Sequence, residues 1–416
     1  MRLTLFSRPA ASALIASIGI ALFCGSLAAS SPSRLHSQTE KFAIFLESLW
    51  PRAKARGVTR ATFEDALRGL QPDAESIALT RHQPEYGKPV GAYLSAMVSQ
   101  ARIEGGRRRL GEWSKTLDAA EKKFGVDRHI LIAIWGIETG YGANPGNKSV
   151  IRSLASTAFA RYKGDRFETE LIDALLILQQ GDVPRERMVG SWAGAMGQPQ
   201  FIPSSYLKWA VDFSGDGKRD IWGNVPDVLG SIANYLKEHG WRSEAPWGFE
   251  VTLPRDFDLS VSRADFRKWR EIGLRRADGR ALPERGEGIL FFPSGSRGPV
   301  FLVTENFNVL KTYNTSDVYA LAIGHLADRL QGGPAIAARW PADDVQLTRE
   351  ERMRMQKHIA SLGYQVSNFQ GLMDFELRDT IRDIQRKAGQ VPDGHPSPAF
   401  LAALDARQRK PRDSRQ

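Results

Sequence analysis

Arg128-His129-Ile130-Leu131-Ile132-Ala133-Ile134-Trp135-Gly136-Ile137-Glu138-Thr139-Gly140-Tyr141-Gly142 is apolar nearly all round until its last turn. There a carboxylate appears, and two glycines follow. A surface helix would keep one polar face, so this run predicts a buried helix over 128–138. Gly140 and Gly142 break it. Glu138 then stands at a helix C-terminus, whose partial negative charge disfavours an anion. Apolar surroundings disfavour the ionised form as well. Both effects favour a protonated acid, which could donate to a glycosidic oxygen. Against this stands a Glu that turns to solvent or pairs with an Arg, since structural ion pairs also perturb carboxylates.

Outward from this helix the pattern stays helical. Phe42, Phe45, Leu46 and Leu49 recur at helix spacing, as do Phe63, Ala66, Leu67 and Leu70. Further helices are expected at about 95–123, 149–160, 165–180, 203–210, 226–239 and 315–330. Residues 31–40 are polar and read as disordered. Between 248 and 310 the character changes: Phe249 to Leu253, Ile289 to Phe292 and Val300 to Val303 look like short strands between turns. Gln331-Gly332-Gly333-Pro334 ends the last helix and opens a linker, 332–344. Apolar positions such as Met355, Ile359, Leu377, Ile381, Phe400 and Leu404 then mark a short helical unit over 345–407, followed by a disordered tail, 408–416. A chain of 416 residues exceeds one core of ordinary size. The reading is mainly α: a helical domain over 30–331 with a small β insertion at about 248–310, then a small C-terminal domain.

Arg2 and Arg8 precede an apolar stretch, Ala10 to Phe23, and Ser26, Leu27, Ala28 and Ala29 follow. This is the layout of a secretory signal peptide over 1–29; the apolar run is short for a membrane anchor. Cys24 is the single cysteine and falls inside that segment. Phe23 stands where a lipoprotein would carry a small residue, so an outer-membrane lipoprotein is the lesser reading. Removing Arg2 and Arg8 takes the net charge from +10 to +8. A basic exported chain suits an anionic partner such as the cell wall. Export and the lack of a long Lys/Arg tract argue against nucleic acid, and no transmembrane span is expected after signal cleavage.

Gly136-Ile137-Glu138-Thr139-Gly140-Tyr141-Gly142 resembles the catalytic signature of the membrane-bound lytic transglycosylase B family. The stretch Gly190-Ser191-Trp192-Ala193-Gly194-Ala195-Met196-Gly197-Gln198-Pro199-Gln200-Phe201-Ile202-Pro203-Ser204-Ser205-Tyr206 resembles its second signature. Asn306-Phe307 and Tyr313-Asn314-Thr315-Ser316, with Tyr319 and Ala320, resemble its third. Long multi-part signatures in order are far more specific than a lone motif. The resemblance implies a lysozyme-like fold, a periplasmic monomer, and the glycan strands of peptidoglycan as substrate.

Most glycoside hydrolases use two carboxylates. The resemblance implies one, Glu138, which protonates the oxygen between N-acetylmuramic acid and N-acetylglucosamine. The substrate's own N-acetyl oxygen assists at C1. Glu138 then takes the proton of the C6 hydroxyl, closing a 1,6-anhydro ring without water. No Asp or Glu lies between Glu138 and Asp165, in keeping with this. The resemblance also implies Ser191 and Gln200 as sugar-facing polar groups, with Tyr235 and Tyr313 as aromatic cleft residues. Asn314 stands beside them as an orienting group, and Tyr93 as a further aromatic wall. Each Tyr has a plainer reading, a core residue with its hydroxyl bonded. Gln198-Pro199 departs from the family's more usual aromatic and Gly. The small residues of 192–197 would let a backbone approach a flat ligand, or two elements pack tightly.

Asp212-Phe213-Ser214-Gly215-Asp216-Gly217-Lys218 fits the first part of an EF-hand loop, with oxygens at positions 1, 3 and 5, Gly at 6, and the Lys218 carbonyl at 7. Position 12 is Gly223, and Asp227 is the substitute that the resemblance implies. A structural calcium ion is expected here, against an Asx-rich turn that binds nothing; no cofactor is needed for the chemistry. The unit over 345–407 resembles a three-helix peptidoglycan-binding domain through Leu362-Gly363-Tyr364, Ile384-Gln385-Arg386-Lys387-Ala388-Gly389 and Pro392-Asp393-Gly394. Gln370, Asp374 and Ile384 depart from the usual residues. A hydrolytic muramidase on the same fold and a non-catalytic wall-binding protein are the competing readings.

Overall fold

The computed structural model describes residues 32–80 and 88–409. The expected signal, 1–29 with Cys24, lies outside them. No helix among the described residues is long and apolar enough to cross a membrane.

The helix Arg128–Thr139 is central, with Ile130 through Gly136 all buried. The Asp127 carboxylate caps it by accepting the His129 amide at 2.7 Å, a contact worth roughly 1 kcal/mol. Gly140, at φ +60°, ends it in the left-handed conformation that glycine adopts cheaply. The helices Asp317–Leu330, Gln100–Glu112 and Val225–Glu238 pack around it. The expected helices at 149–160, 165–180, 203–210, 226–239 and 315–330 are present as Val150–Phe159, Arg166–Gln180, Pro203–Trp209, Val225–Glu238 and Asp317–Leu330. The stretch 95–123 is not one helix. It falls across the end of Val90–Met97, then Gln100–Glu112, capped by Ser99, and Ser114–Phe124, with a break at Trp113. Residues 31–40 also differ from expectation: a helix spans Pro32–Ser48, pinned where Phe42 and Leu46 enter the core.

Strands β1 (Lys148–Ser149) and β2 (Val189–Gly190) form a short antiparallel pair. The insertion holds β3 (Gly248–Thr252), β4 (Arg263–Asp265), β5 (Arg275–Arg276), β6 (Glu287–Phe291) and β7 (Val300–Val303) in the order β4-β6-β7-β3-β5. Register pairs Leu290 with Leu302 and Gly248 with Val303. Alternate side chains take opposite faces. Ile289, Phe291, Phe301 and Val303 enter the main core, while Leu290, Leu302, Phe249 and Val251 form a second core with Phe266 and Trp269. Those last two lie on a helix inside the insertion, Phe266–Ile272, which strand periodicity does not reveal.

The C-terminal domain packs Arg349–Ser361, Phe375–Lys387 and Pro398–Arg409 around Met355, Ile359, Ile381 and Phe400. Its last helix runs through 409, so the chain stays regular into the expected tail; 410–416 lie outside the described residues. Phe375 leaves this domain for the main core, against Phe291 and Phe307. The linker is laid down on the first domain. Glu250 accepts the Ala337 and Ala338 amides at 2.7 and 2.8 Å, and Asp344 accepts the Val90 amide at 2.8 Å.

Candidate active site

Glu138 sits in the last turn of the buried helix and is half-buried. Its Oε1 accepts a hydrogen bond from the Tyr319 hydroxyl. Tyr319 lies on Asp317–Leu330, the helix packed along the Glu138 helix, and is only 4% exposed. Burial, then the negative charge of Glu138, pushes its phenol well above the ordinary value of 10. It therefore stays a protonated donor. Tyr313 is pushed up for the same two reasons in the same order, and its hydroxyl donates to the Pro199 carbonyl at 2.6 Å. Tyr93 lies near enough to act electrostatically on Tyr319.

Three contacts fix the helix end. Trp135 Nε1 donates to Gln198 Oε1 at 2.8 Å, Thr139 Oγ1 donates to the Gln198 carbonyl at 2.9 Å, and Gln198 Nε2 donates to the Trp222 carbonyl at 2.9 Å. Gln198, the departure from the family pattern, is thus a buried clamp. Beyond the cap, Tyr141 is also left-handed, at φ +63°. Its ring fills the space that a Cβ on Gly136 would need, 2.5 Å away, and its hydroxyl donates to the Arg102 carbonyl at 2.6 Å.

The second segment follows β2 and is tightly wound. Ser191 Oγ accepts the Ala195 amide at 3.0 Å. Gln200, at φ +54°, donates through Nε2 to the carbonyls of Pro145 (3.0 Å) and Gly197 (2.9 Å). It stitches this segment to the loop after the Glu138 helix. The small residues here serve packing: a Cβ on Gly194 would lie 2.2 Å from Leu154, and one on Gly197 2.6 Å from the Ile221 carbonyl.

Tyr235 lies behind Tyr313. Its ring is 7% exposed and its hydroxyl donates to the Thr312 carbonyl at 2.7 Å. It packs edge-on against Tyr313 at 4.9 Å and supports it from the core side. Asn314 is exposed at the end of the helix Glu305–Tyr313 and accepts the Ser316 amide at 3.1 Å. Asn314, Tyr93 and Tyr319 line one cavity of about 220 Å³, whose far wall is the C-terminal domain. Among the described residues its one lining carboxylate is Asp317, bound by Lys311 at 2.6 Å and Arg378 at 2.5 Å. The sequence places Tyr319 within the third signature without a role of its own; the structure puts its hydroxyl on Glu138.

The EF-hand-like loop assembles. Asp212, Asp216 and Asp227 each bring a carboxylate oxygen to within 4.8 Å of the others. Asp227, on the first turn of Val225–Glu238, is fully buried and accepts the amides of Phe213, Ser214 and Asp220 at 2.8–2.9 Å. Burial raises its carboxyl above the ordinary value. Asp212 accepts the amides of Gly215, Asp216 and Gly217, which together outweigh its desolvation and hold it low. Ser214 Oγ donates to Asp212 at 3.3 Å, and Lys218 closes the turn by donating its amide to Asp216 at 2.9 Å. This donor set of hard oxygens fits calcium.

Over residues 41–328 the chain matches the family described as Transglycosylase SLT domain, and over 348–404 a putative peptidoglycan binding domain. It is 31% identical over 249 residues to membrane-bound lytic murein transglycosylase B of Escherichia coli K12, covering 57% of this chain and 67% of that one. Among solved structures it resembles SltB3 from Pseudomonas aeruginosa in complex with NAG-anhNAM-pentapeptide. The TM-score is 0.78 and the identity 42%, over 88% of this chain and 99% of that one. SltB1 from the same organism is 29% identical at a TM-score of 0.60, over 69% of this chain and 99% of that one. With a helical lysozyme-like domain, Glu138 held at the end of its buried helix, and a family match across more than half its length, this chain belongs to the SLT transglycosylase family.

Proposed function

We propose that Glu138 is the single acid/base of this chain, a lytic transglycosylase of peptidoglycan, and that it cuts between N-acetylmuramic acid and N-acetylglucosamine. The observation that carries the assignment is the Tyr319 hydroxyl donating to Glu138 at the end of a buried, clamped helix. That donor fixes the carboxyl's orientation and supports the anion left once the proton has moved to the glycosidic oxygen. The anion is then the base for the C6 hydroxyl, whose attack on C1 closes the 1,6-anhydro ring. The pairing of Asp317 with two cations leaves it ill-suited as a second carboxylate. Tyr313, Asn314, Tyr93, Ser191 and Gln200 shape the groove, with Tyr235 acting through Tyr313.

The test is product mass on purified sacculi. The expected wild-type products are one water lighter than hydrolytic ones, and Glu138→Gln is inactive. Reducing ends would make the chain a hydrolytic muramidase, and full activity in Glu138→Gln would remove the assignment.

Two further readings belong here. The loop 212–227 holds a structural calcium ion through Asp212, Ser214, Asp216, the Lys218 carbonyl and Asp227. The site of action is the periplasm, supported by the signal-like layout of residues 1–29, the basic charge, and the murein enzyme of E. coli that the chain resembles.

A further inference from the structure

A second cavity, of about 240 Å³, opens about two turns along Asp317–Leu330 from Tyr319, against the β insertion. Trp247 and Phe301 give it aromatic edges, and Ile336 of the linker closes another side. His325 and Asp328 line it from the helix, three positions apart and so on one face. A void of about 150 Å³ takes a benzene ring, so this one has room for about ten non-hydrogen atoms.

Two cations, Arg276 and Arg280, line the cavity against three carboxylates. Two of the carboxylates are fully used. Asp278 is shared by Arg276 at 2.5 Å and Arg280 at 2.7 Å. Both Glu250 oxygens accept linker amides, from Ala337 and Ala338. Asp328 differs. Its Oδ2 accepts Trp247 Nε1 at 3.2 Å, and its Oδ1 has no donor among the described residues. An acceptor buried without a donor is costly. The His325 ring likewise has no hydrogen-bond partner among the described residues. Burial, then the charge of Arg329, keeps it neutral to about 4, and a neutral imidazole offers one acceptor nitrogen. A carboxylate oxygen and an imidazole thus line an aromatic-edged space with no donor to meet them, while the two arginines turn to Asp278.

We infer that this cavity binds a small organic cation, a flat amidinium or guanidinium on an apolar body, with its N–H groups on Asp328 and His325 and its body against Trp247 and Ile336. Such a head presents parallel N–H bonds to a carboxylate, and aromatic rings attract cations. A metal ion is a poorer occupant: three ligand atoms of metal-binding side chains gather at 212–227 and nowhere else among the described residues. An anion would meet the charge of Asp328 with no free cation to offset it. Binding here asks nothing of Glu138.

Calorimetry on the full chain compares benzamidine with benzamide, which has the same shape without the charge. Benzamidine should bind at least about tenfold tighter. Burial raises the Asp328 carboxyl to about 7. His325 titrates near 4, and the two arginines outweigh burial to hold Asp278 low. Of these three, Asp328 changes charge between pH 6 and pH 8. A cation that needs its ionised form should then bind about tenfold tighter at pH 8 than at pH 6. Asp328→Asn keeps the shape and removes the charge, and should abolish both preferences. Should that variant fold poorly, the wild type decides alone: at pH 6.5, in two buffers of unlike ionisation enthalpy, benzamidine should displace most of one proton. Equal affinity for the two ligands, no binding of either, a benzamidine affinity indifferent to pH, no proton release, or a preference retained in Asp328→Asn overturns the site.

Discussion

Tyr319 and Glu138 are 181 positions apart and joined by one hydrogen bond. A bond to a charged group is worth roughly 1.5–3 kcal/mol. Tyr319→Phe should therefore lower kcat on sacculi about 10- to 100-fold, with folding intact by circular dichroism. An unchanged kcat would reduce Tyr319 to packing. A second residue sets a pH dependence. Burial holds the Asp328 carboxyl up to about 7, although Trp247 Nε1 donates to it. Unfolded, it would lose its proton near 4, so this residue's contribution to stability is lost as pH rises from about 4 to about 7. His325 and His395, kept neutral by burial to about 4, act oppositely: their contribution is lost as pH falls from about 6.5 to 4. Asp328→Asn should raise the melting temperature at pH 8 and steepen its decline from pH 7 to pH 5. A calorimetric profile parallel to wild type would contradict this. At this scale the sequence discloses Glu138, because a carboxylate ending an apolar helix breaks a local pattern. It names Tyr319 within a signature but hides its contact with Glu138, because the partner stands in another helix. It leaves Tyr235 open, since an aromatic ring suits a sugar face and a core equally well.

Periodicity reveals the long helices because their buried stripes are set by the chain's own spacing. It fails at Trp113, where the break is a local kink with no Pro to mark it, and at Phe266–Ile272, where seven residues give too short a stripe. The polar front of Pro32–Ser48 likewise hides a helix whose anchor, Phe42, comes late. The loop 212–227 was legible as a spacing of oxygens; that Asp227 also organises its amides was not. Calcium at a hundredfold excess over its Kd should stabilise the fold by about 2.7 kcal/mol, read as a higher melting temperature, and Asp216→Ala should abolish the gain. A wild type indifferent to calcium would leave 212–227 an amide-bonded turn.

The two domains are joined by more than a linker. Asp317, on the first turn of a main-domain helix, takes Lys311 and Arg378 at once, and burial is outweighed by those two charges, which hold its carboxyl low. Arg382 donates to the Leu290 carbonyl at 3.2 Å, and Asp393 accepts the Ser296 amide at 2.9 Å. Asp317→Ala leaves two buried cations unpaired and should cost about 3–5 kcal/mol. The wild type should show one cooperative thermal transition and the variant two, or one that is clearly lower. The C-terminal helices were readable from their own apolar positions, but the seam was not, because it joins residues far apart in the chain.

Phe375 gives that seam a practical meaning. Anyone wishing to borrow residues 348–404 as an affinity handle for murein would also carry away an aromatic ring whose berth stays behind with the donor. Cut loose, the handle would present that ring to water and stick to its own copies, unless position 375 were first given a polar side chain.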